Sequence, residues 1–269
     1  MTDQNKLRIC IMISCMHQEN MEIISRTNVQ TDVVVVNQCN SNSIHHFTFK
    51  NKNGEECYAT FINTTERGLS KSRNMAIQHS SGDILVVCDD DEILEDNISD
   101  IINDAYFKLP DATVIAFSLR SKNSKRKYSL KASKLNFINI LKTCSVQLTF
   151  KKENLINSKI LFDEKMGSGT GNGGGEENKI LLDLWRNKHK LYYYPSIIAT
   201  INNNESQWFH GYNETYFCNL GWVARRLHGS FISLIYIVYF LATHYHLYAT
   251  DISIIKALKQ MIIGWKSKR

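Results

Sequence analysis

Runs dominated by uncharged β-branched and aliphatic residues punctuate the first half of the chain. They cover 7–14 (LRICIMIS), 32–37 (DVVVVN), 59–63 (ATFIN), 83–92 (DILVVCDDDE) and 113–119 (TVIAFSL). Apolar runs of this length read as strands buried on both faces. Between them lie stretches patterned for helices: 18–27, 68–79 with Leu69, Met75 and Ala76 inward, and 98–109, which stops before Pro110. Segment 44–58 alternates polar and aromatic residues around the turn signal Asn53-Gly54 and predicts a small hairpin. Further on, 144–151 predicts a strand. Residues 176–188 predict a helix with Ile180, Leu181, Leu184 and Trp185 on one side, and 191–194 and 197–201 are extended around Pro195. This alternation predicts an α/β fold, a mostly parallel sheet with helices on both faces and right-handed crossovers.

The pattern changes after residue 205. Residues 231–248 (FISLIYIVYFLATHYHLY) are apolar and aromatic over nearly the length of a membrane span, but Thr243, His244 and His246 spoil the far end. Arg225, Arg226 and His228 precede the run. Ile254, Ile255, Leu258, Met261, Ile262 and Trp265 then line one side of a final helix that carries Lys256, Lys259 and Lys266, with Lys268 and Arg269 beyond it. Paired basic and aromatic faces suit helices lying in a membrane interface, and a lid packed on the core is the plainer alternative. The expected division is an α/β domain over 1–205 and a membrane-associating helical region over 206–269.

Composition narrows the compartment. Seven cysteines, an odd number without a CxxC pair, argue for a reducing cytoplasm and against a disulfide framework or zinc site. The apolar run at 9–13 is too short for a signal peptide. A net charge of +6 is mildly basic, but the basic residues scatter until the end of the chain, so nucleic acid is not an expected partner. Segment 121–134 (SKNSKRKYSLKASK is its basic stretch) reads as a solvated loop.

Two acidic clusters carry the candidate chemistry. Asp89, Asp90, Asp91 and Glu92 end an apolar strand. Crowded carboxylates resist ionising together unless a cation joins them. Ligands of open α/β sheets bind beyond the carboxyl ends of strands, and hard oxygen donors there suit Mg²⁺ or Mn²⁺ shared with a substrate diphosphate. A solvated acidic turn is the competing reading. The second cluster, Glu176-Glu177, follows the glycine-rich run 167–175 (GSGTGNGGG). Its GxGxxG lies too late in the chain for a dinucleotide fingerprint and reads as a mobile loop. A helix start favours ionised carboxylates, and adjacent helical residues point about 100° apart, so the two acids can do different work. Trp208, Phe209, His210 and Tyr212 form an aromatic cluster with one histidine, and no nucleophile–base motif is present.

The order apolar strand, VVVVNQ, GLSKSRNMAI, a strand ending in DDDE, and a late GGGEE before a helix resembles the family 2 glycosyltransferases of the GT-A fold, most of all those building bacterial capsule, exopolysaccharide or O-antigen. The similarity spans roughly 7–205. It implies a DxD motif in which Asp91 ligates the metal, Asp89 meets the donor ribose or the metal's waters, and Asp90 fills the variable middle. It implies that Arg73, with Lys71 close by, lies near the donor nucleotide, and that Ser14 and Asn37 grip base and ribose. It makes Glu177 the general base and Glu176 an acceptor contact. Relatives often have Asp at the second place, so the base stays open between the two glutamates. His210 is the candidate for completing the metal shell. The implied cofactor is Mn²⁺ or Mg²⁺. The implied partners are a nucleotide-sugar donor, a saccharide or polyprenyl-diphosphate-linked acceptor, and the inner face of the cell membrane. A sugar-1-phosphate nucleotidyltransferase shares the sheet but needs a Gly-rich basic loop after the first strand, where this chain reads SCMHQEN. A non-catalytic membrane-bound scaffold is opposed by the intact acids of both clusters.

Overall fold

A computed structural model describes residues 6–121, 127–201 and 211–269. In chain order the first half forms β1 (Ile9–Met16), α1 (Ile23–Arg26), β2 (Asp32–Gln38), β3 (Ser43–Lys50), β4 (Glu56–Thr64), α2 (Leu69–His79), β5 (Ile84–Asp89), β6 (Glu92–Leu94), α3 (Ile98–Lys108) and β7 (Val114–Ser121). Then follow β8 (Ser133–Lys134), α4 (Phe137–Leu141), β9 (Leu148–Lys151), α5 (Lys152–Ser158), α6 (Glu176–Arg186), β10 (Leu191–Ile201), α7 (Glu214–Thr243), α8 (Tyr245–Tyr248) and α9 (Ile254–Lys266).

The strands join one sheet in the order β3-β4-β2-β1-β5-β9-β7-β10-β6, with β8 on β10. The centre, β4-β2-β1-β5, is parallel as the apolar runs predict, and β7 is parallel to β10. The other pairings are antiparallel, so the sheet is mixed rather than mostly parallel. The reason lies in β9: inserted between β5 and β7, it runs against both. The hairpin at Asn53-Gly54 forms between β3 and β4, closed by Gly54 N donating to Asn51 O.

Apolar side chains fill both faces. One cluster joins the sheet to Ile23, Ile98, Ile102 and Tyr106 of α1 and α3. The other joins it to Ala76 and Ile77 of α2, Leu155 of α5, Ile180 and Leu184 of α6, and Trp222 and Leu227 of α7. The C-terminal helices are therefore rooted in the packing of the sheet.

Helix α7 does not run straight. Gly229 has φ 74° and ψ −176°, a conformation open to glycine and closed to most side chains. The chain reverses there: Phe217 before the break and Phe240 after it have ring centroids 6.5 Å apart. The second arm, α8 and α9 close a third cluster around Phe217, Ile237, Leu241, Tyr248 and Met261. By length and composition α7 could cross a bilayer. Each arm, at ~1.5 Å per residue, reaches only ~22 Å, short of a ~30 Å hydrocarbon core. The apolar run thus makes a bent cap and not a straight span.

Candidate active site

The site lies beyond the carboxyl ends of the parallel strands. Register places Ser14 of β1 beside Asp89 of β5, and Asn37 of β2 beside Asn63 of β4. Ser14 is buried and its Oγ has no hydrogen-bond partner. Asn37 is also fully buried, but its amide is committed to the protein: Oδ1 accepts from Gln18 N at 2.9 Å, and Nδ2 donates to Gln18 O at 2.9 Å and Asn63 Oδ1 at 2.8 Å. Both donors are used, so in this state Asn37 shapes the crevice by holding the chain after β1 rather than offering its amide to a base. The same bonds keep Gln18 out of a helix, which is why the helix expected over 18–27 shrinks to Ile23–Arg26.

Arg73 is the centre of the arrangement. It projects inward from α2 with its side chain 1% exposed. One guanidinium nitrogen donates to Glu176 Oε1 at 3.0 Å and another to Asp89 Oδ1 at 3.1 Å. Its plane lies 5.5 Å from the Phe162 ring centroid. Burial favours loss of its proton, but Asp89, Glu176 and Glu177 outweigh burial and push its pKa up. Arg73 therefore ties the two acidic clusters, 103 residues apart between Arg73 and Glu176, into one crevice. Lys71, two residues earlier on α2, is half-exposed and pairs with Glu66 at 3.6 Å.

The four acids of the DDDE run part company. Asp89 ends β5, Asp90 is half-buried and Asp91 exposed. Removal from water and then repulsion from Asp89 raise the pKa of both Asp90 and Asp91. Glu92 begins β6, whose alternation turns it inward, Ile93 outward and Leu94 inward. Burial, then Asp89 and Asp91, hold the Glu92 carboxyl well above the carboxylate range, and its Oε2 has no hydrogen-bond partner.

The second cluster is placed by the glycine-rich run, where Gly167, Gly169, Gly171, Gly173 and Gly175 all have positive φ. The run expected as a mobile loop is fastened to the start of α2: Leu69 N donates to Ser168 O at 2.9 Å, and Ser70 Oγ to Met166 O at 2.8 Å. A Cβ on Gly167 would lie 3.3 Å from the Glu176 carboxyl. Glu176 is buried against Arg73, whereas Glu177 is half-buried. Burial, and then the charge of Glu176, raise the Glu177 pKa to about 7. The two acids thus differ as their helical offset predicts: one is fixed in an ion pair, the other poised to exchange a proton.

With Arg73 as the one cation bonded to these acids among the described residues, Asp89, Asp90, Asp91, Glu176 and Glu177 leave the crevice an excess of negative charge. Hard oxygen donors in such excess fit a divalent cation that keeps waters and substrate phosphates as its remaining ligands. Among the described residues no three His, Cys, Asp or Glu side chains converge as a ready-made metal cage. His210, expected in the metal shell, and the aromatic Trp208 and Phe209 lie outside the described residues. Sequence reasoning missed Gln38 and Asn74. Gln38 Oε1 accepts from Gly68 N at 2.8 Å, and Asn74 Nδ2 donates to Phe162 O and Glu164 Oε1. Both fix α2, and so Arg73, against distant segments, a role that no local pattern announces.

Comparison with known proteins bears on the fold and the family. A crystal structure of S. aureus TarS 1-349 in complex with UDP-GlcNAc matches with a TM-score of 0.62 at 13% identity, covering 96% of this chain and 81% of that one. TarS 1-349 in complex with UDP gives 0.60 at 13% identity, over 97% and 81%. The mannosyltransferase PcManGT from Pyrobaculum calidifontis, in complex with GDP-Man and Mn²⁺, gives 0.52 at 13% identity, over 97% and 74%. At such identity these likenesses speak for the fold, GT-A. A search of curated proteins returns no match. The Glycosyl transferase family 2 model matches residues 19–166, more than half of the chain and including α2 and the DDDE run. The chain belongs to glycosyl transferase family 2 and is a glycosyltransferase.

Proposed function

We propose that the enzyme transfers a sugar from a nucleoside-diphosphate donor, a UDP-sugar before others, to a hydroxyl of a saccharide or lipid-linked acceptor in bacterial surface polysaccharide synthesis, with inversion at the anomeric carbon. The observation that carries the reading is Arg73 spanning Asp89 and Glu176, which brings the acids after β5 and the glutamate pair of α6 into a single crevice. The complexes of the matched structures, with UDP, UDP-GlcNAc and GDP-Man with Mn²⁺, support the donor class and the ion.

Each residue has a part. The unpartnered Ser14 Oγ at the strand end is suited to hydrogen-bond the nucleoside. Asp91, with Asp89, would hold Mn²⁺ or Mg²⁺ together with donor phosphate oxygens, and the bound ion supplies neutralisation of the leaving diphosphate. Glu177 takes the proton of the acceptor hydroxyl as its oxygen attacks the anomeric carbon. The bond from that carbon to the diphosphate oxygen breaks with its electron pair leaving on the diphosphate. One displacement inverts the configuration. Glu176, held by Arg73, keeps α6 and therefore Glu177 in place. The loop 167–175, lying across the start of α2, excludes water that would hydrolyse the donor.

Calorimetric titration of UDP in the presence of Mn²⁺ tests the metal site. Asp91→Ala is expected to weaken UDP binding by about tenfold or more, on the order of 1.4 kcal/mol. Unchanged affinity in that variant would remove Asp91 from the donor site.

A further inference from the structure

Behind the glycine-rich loop lies a second cavity, of about 490 Å³, between the start of α6 and the first arm of α7. Gly173, Gly174 and Gly175 form one wall, and a Cβ on Gly174 would stand 3.8 Å from Glu176 Oε2, so the cavity borders the acid pair. Leu220, Val223, Ala224, Leu227 and Tyr236 supply apolar lining, the amides of Asn178, Asn213 and Asn219 add neutral polar groups, and among the described residues no Asp, Glu, Lys or Arg lines it. A wall in which no described residue carries a charge suits an uncharged chain better than a diphosphate. One polar group in the lining is out of place. His228 is 8% exposed, its ring is 5.6 Å from those of Phe137 and Tyr236, and its Nδ1 has no hydrogen-bond partner. A buried ring nitrogen without a partner is costly unless a ligand satisfies it.

The cavity also has an approach. Tyr236 shares a helical face with Ile232 and Tyr239, which are 53% and 57% exposed, and with that face the apolar lining continues onto the outer surface of the cap. We propose that this cavity holds the hydrocarbon chain of a lipid-borne acceptor, entering over Ile232 and Tyr239, with His228 Nδ1 hydrogen-bonded to an oxygen at the head of the chain. The inference rests on the glycosyl-transfer reading for its acceptor and selects a lipid over a free saccharide. Burial, and then Arg186, lower the His228 pKa, so the imidazole is neutral and offers one donor and one acceptor.

Farnesol, a neutral isoprenoid alcohol, is the probe, titrated into the full chain and followed by tryptophan fluorescence, with maltose as the saccharide control. Saturable farnesol binding is expected, weakened about tenfold or more by Leu220→Trp and by Ala224→Phe, which fill the cavity, and less severely by His228→Phe. Maltose is expected not to compete. Farnesol affinity unchanged in both filled variants, or maltose displacing farnesol, overturns the proposal. UDP binding with Mn²⁺, measured on the same samples, reports that each variant is folded. It also separates the two readings: a wild-type protein that binds UDP but not farnesol sinks the lipid site alone, and a wild-type protein that binds farnesol but takes no nucleotide sinks the transfer reading alone.

Discussion

At the scale of single residues, the site depends on a buried cation and an acid with a displaced pKa. Arg73 pairs with the partly exposed Asp89 and with Glu176, which is buried away from water. Arg73→Met should therefore leave buried negative charge and destabilise the fold by about 3–5 kcal/mol in urea denaturation, and adding Glu176→Gln should recover part of the loss, because the two changes share one interaction. Glu177 gives a test by pH. Its folded pKa, about 7, lies above the ordinary 4.5, so the protonated form is favoured in the fold. The stability this lends is complete below pH 4.5 and is lost as pH rises through 7. Glu177→Gln keeps the neutral form at every pH. It should match the wild type near pH 4 in thermal unfolding and exceed it at pH 8 by an amount on the order of 2 kcal/mol, while turnover falls by about 10²-fold or more. In the wild type kcat/KM should rise with pH through about 7. Equal pH profiles of stability in the two proteins would show that Glu177 is not desolvated. The sequence pointed to Asp89, Asp91 and the glutamate pair because acids at a strand end and at a helix start are local patterns. It could not say which glutamate is free: that is decided by Arg73, which pairs with one of them across 103 residues.

At the scale of elements, periodicity located the parallel centre of the sheet and helices α2, α3, α6 and α9 to within a few residues. It failed where a distant partner decides the outcome. Gln18 is drawn from a helix by Asn37, and β9 turns the sheet mixed by running against its neighbours. The C-terminal helices show the same limit. Gly221 and Gly264 carry no local signal of their partners, and α7 and α9 cross so closely there that a Cβ on Gly264 would lie 1.7 Å from Cys218 O, and one on Gly221 2.0 Å from Met261 O. These atoms are backbone and cannot move aside without separating the helices. Gly264→Ala should cost about 1–3 kcal/mol, read as faster proteolysis and hydrogen exchange confined to 211–269, with Mn²⁺-dependent UDP binding kept. Alanine at 264 with unchanged exchange would mean that the helices do not meet there.

For the molecule as a whole, the question is why the cap turns so much apolar surface outward. Phe231, Val238 and Ile255 are 76%, 66% and 78% exposed, and Ile235, Tyr239 and Ile263 are 57%, 57% and 47% exposed. Single exposed apolar residues are ordinary, but a cluster of this kind on one end of a protein marks an interaction surface. Its chemistry fits a bilayer better than another protein, because Lys256, Lys259, Lys266, Lys268 and Arg269 are exposed on the same cap, and each cation near an anionic leaflet contributes about 1 kcal/mol. The bend at Gly229 is what permits this: it lays both arms of α7 against α9 instead of extending one helix through the membrane, and leaves the active-site crevice attached to the surface from which a lipid acceptor would come. Flotation with vesicles of phosphatidylglycerol and phosphatidylcholine should recover the protein at low salt. Raising the salt to about 0.5 M should release most of it, since the Debye length then falls to about 4 Å. Lys256→Glu with Lys259→Glu should have the same effect as salt, and Phe231→Asp with Ile255→Asp should abolish flotation even at low salt while UDP binding persists. Flotation indifferent to all four substitutions would move the membrane contact off the cap and leave its apolar face in need of another partner.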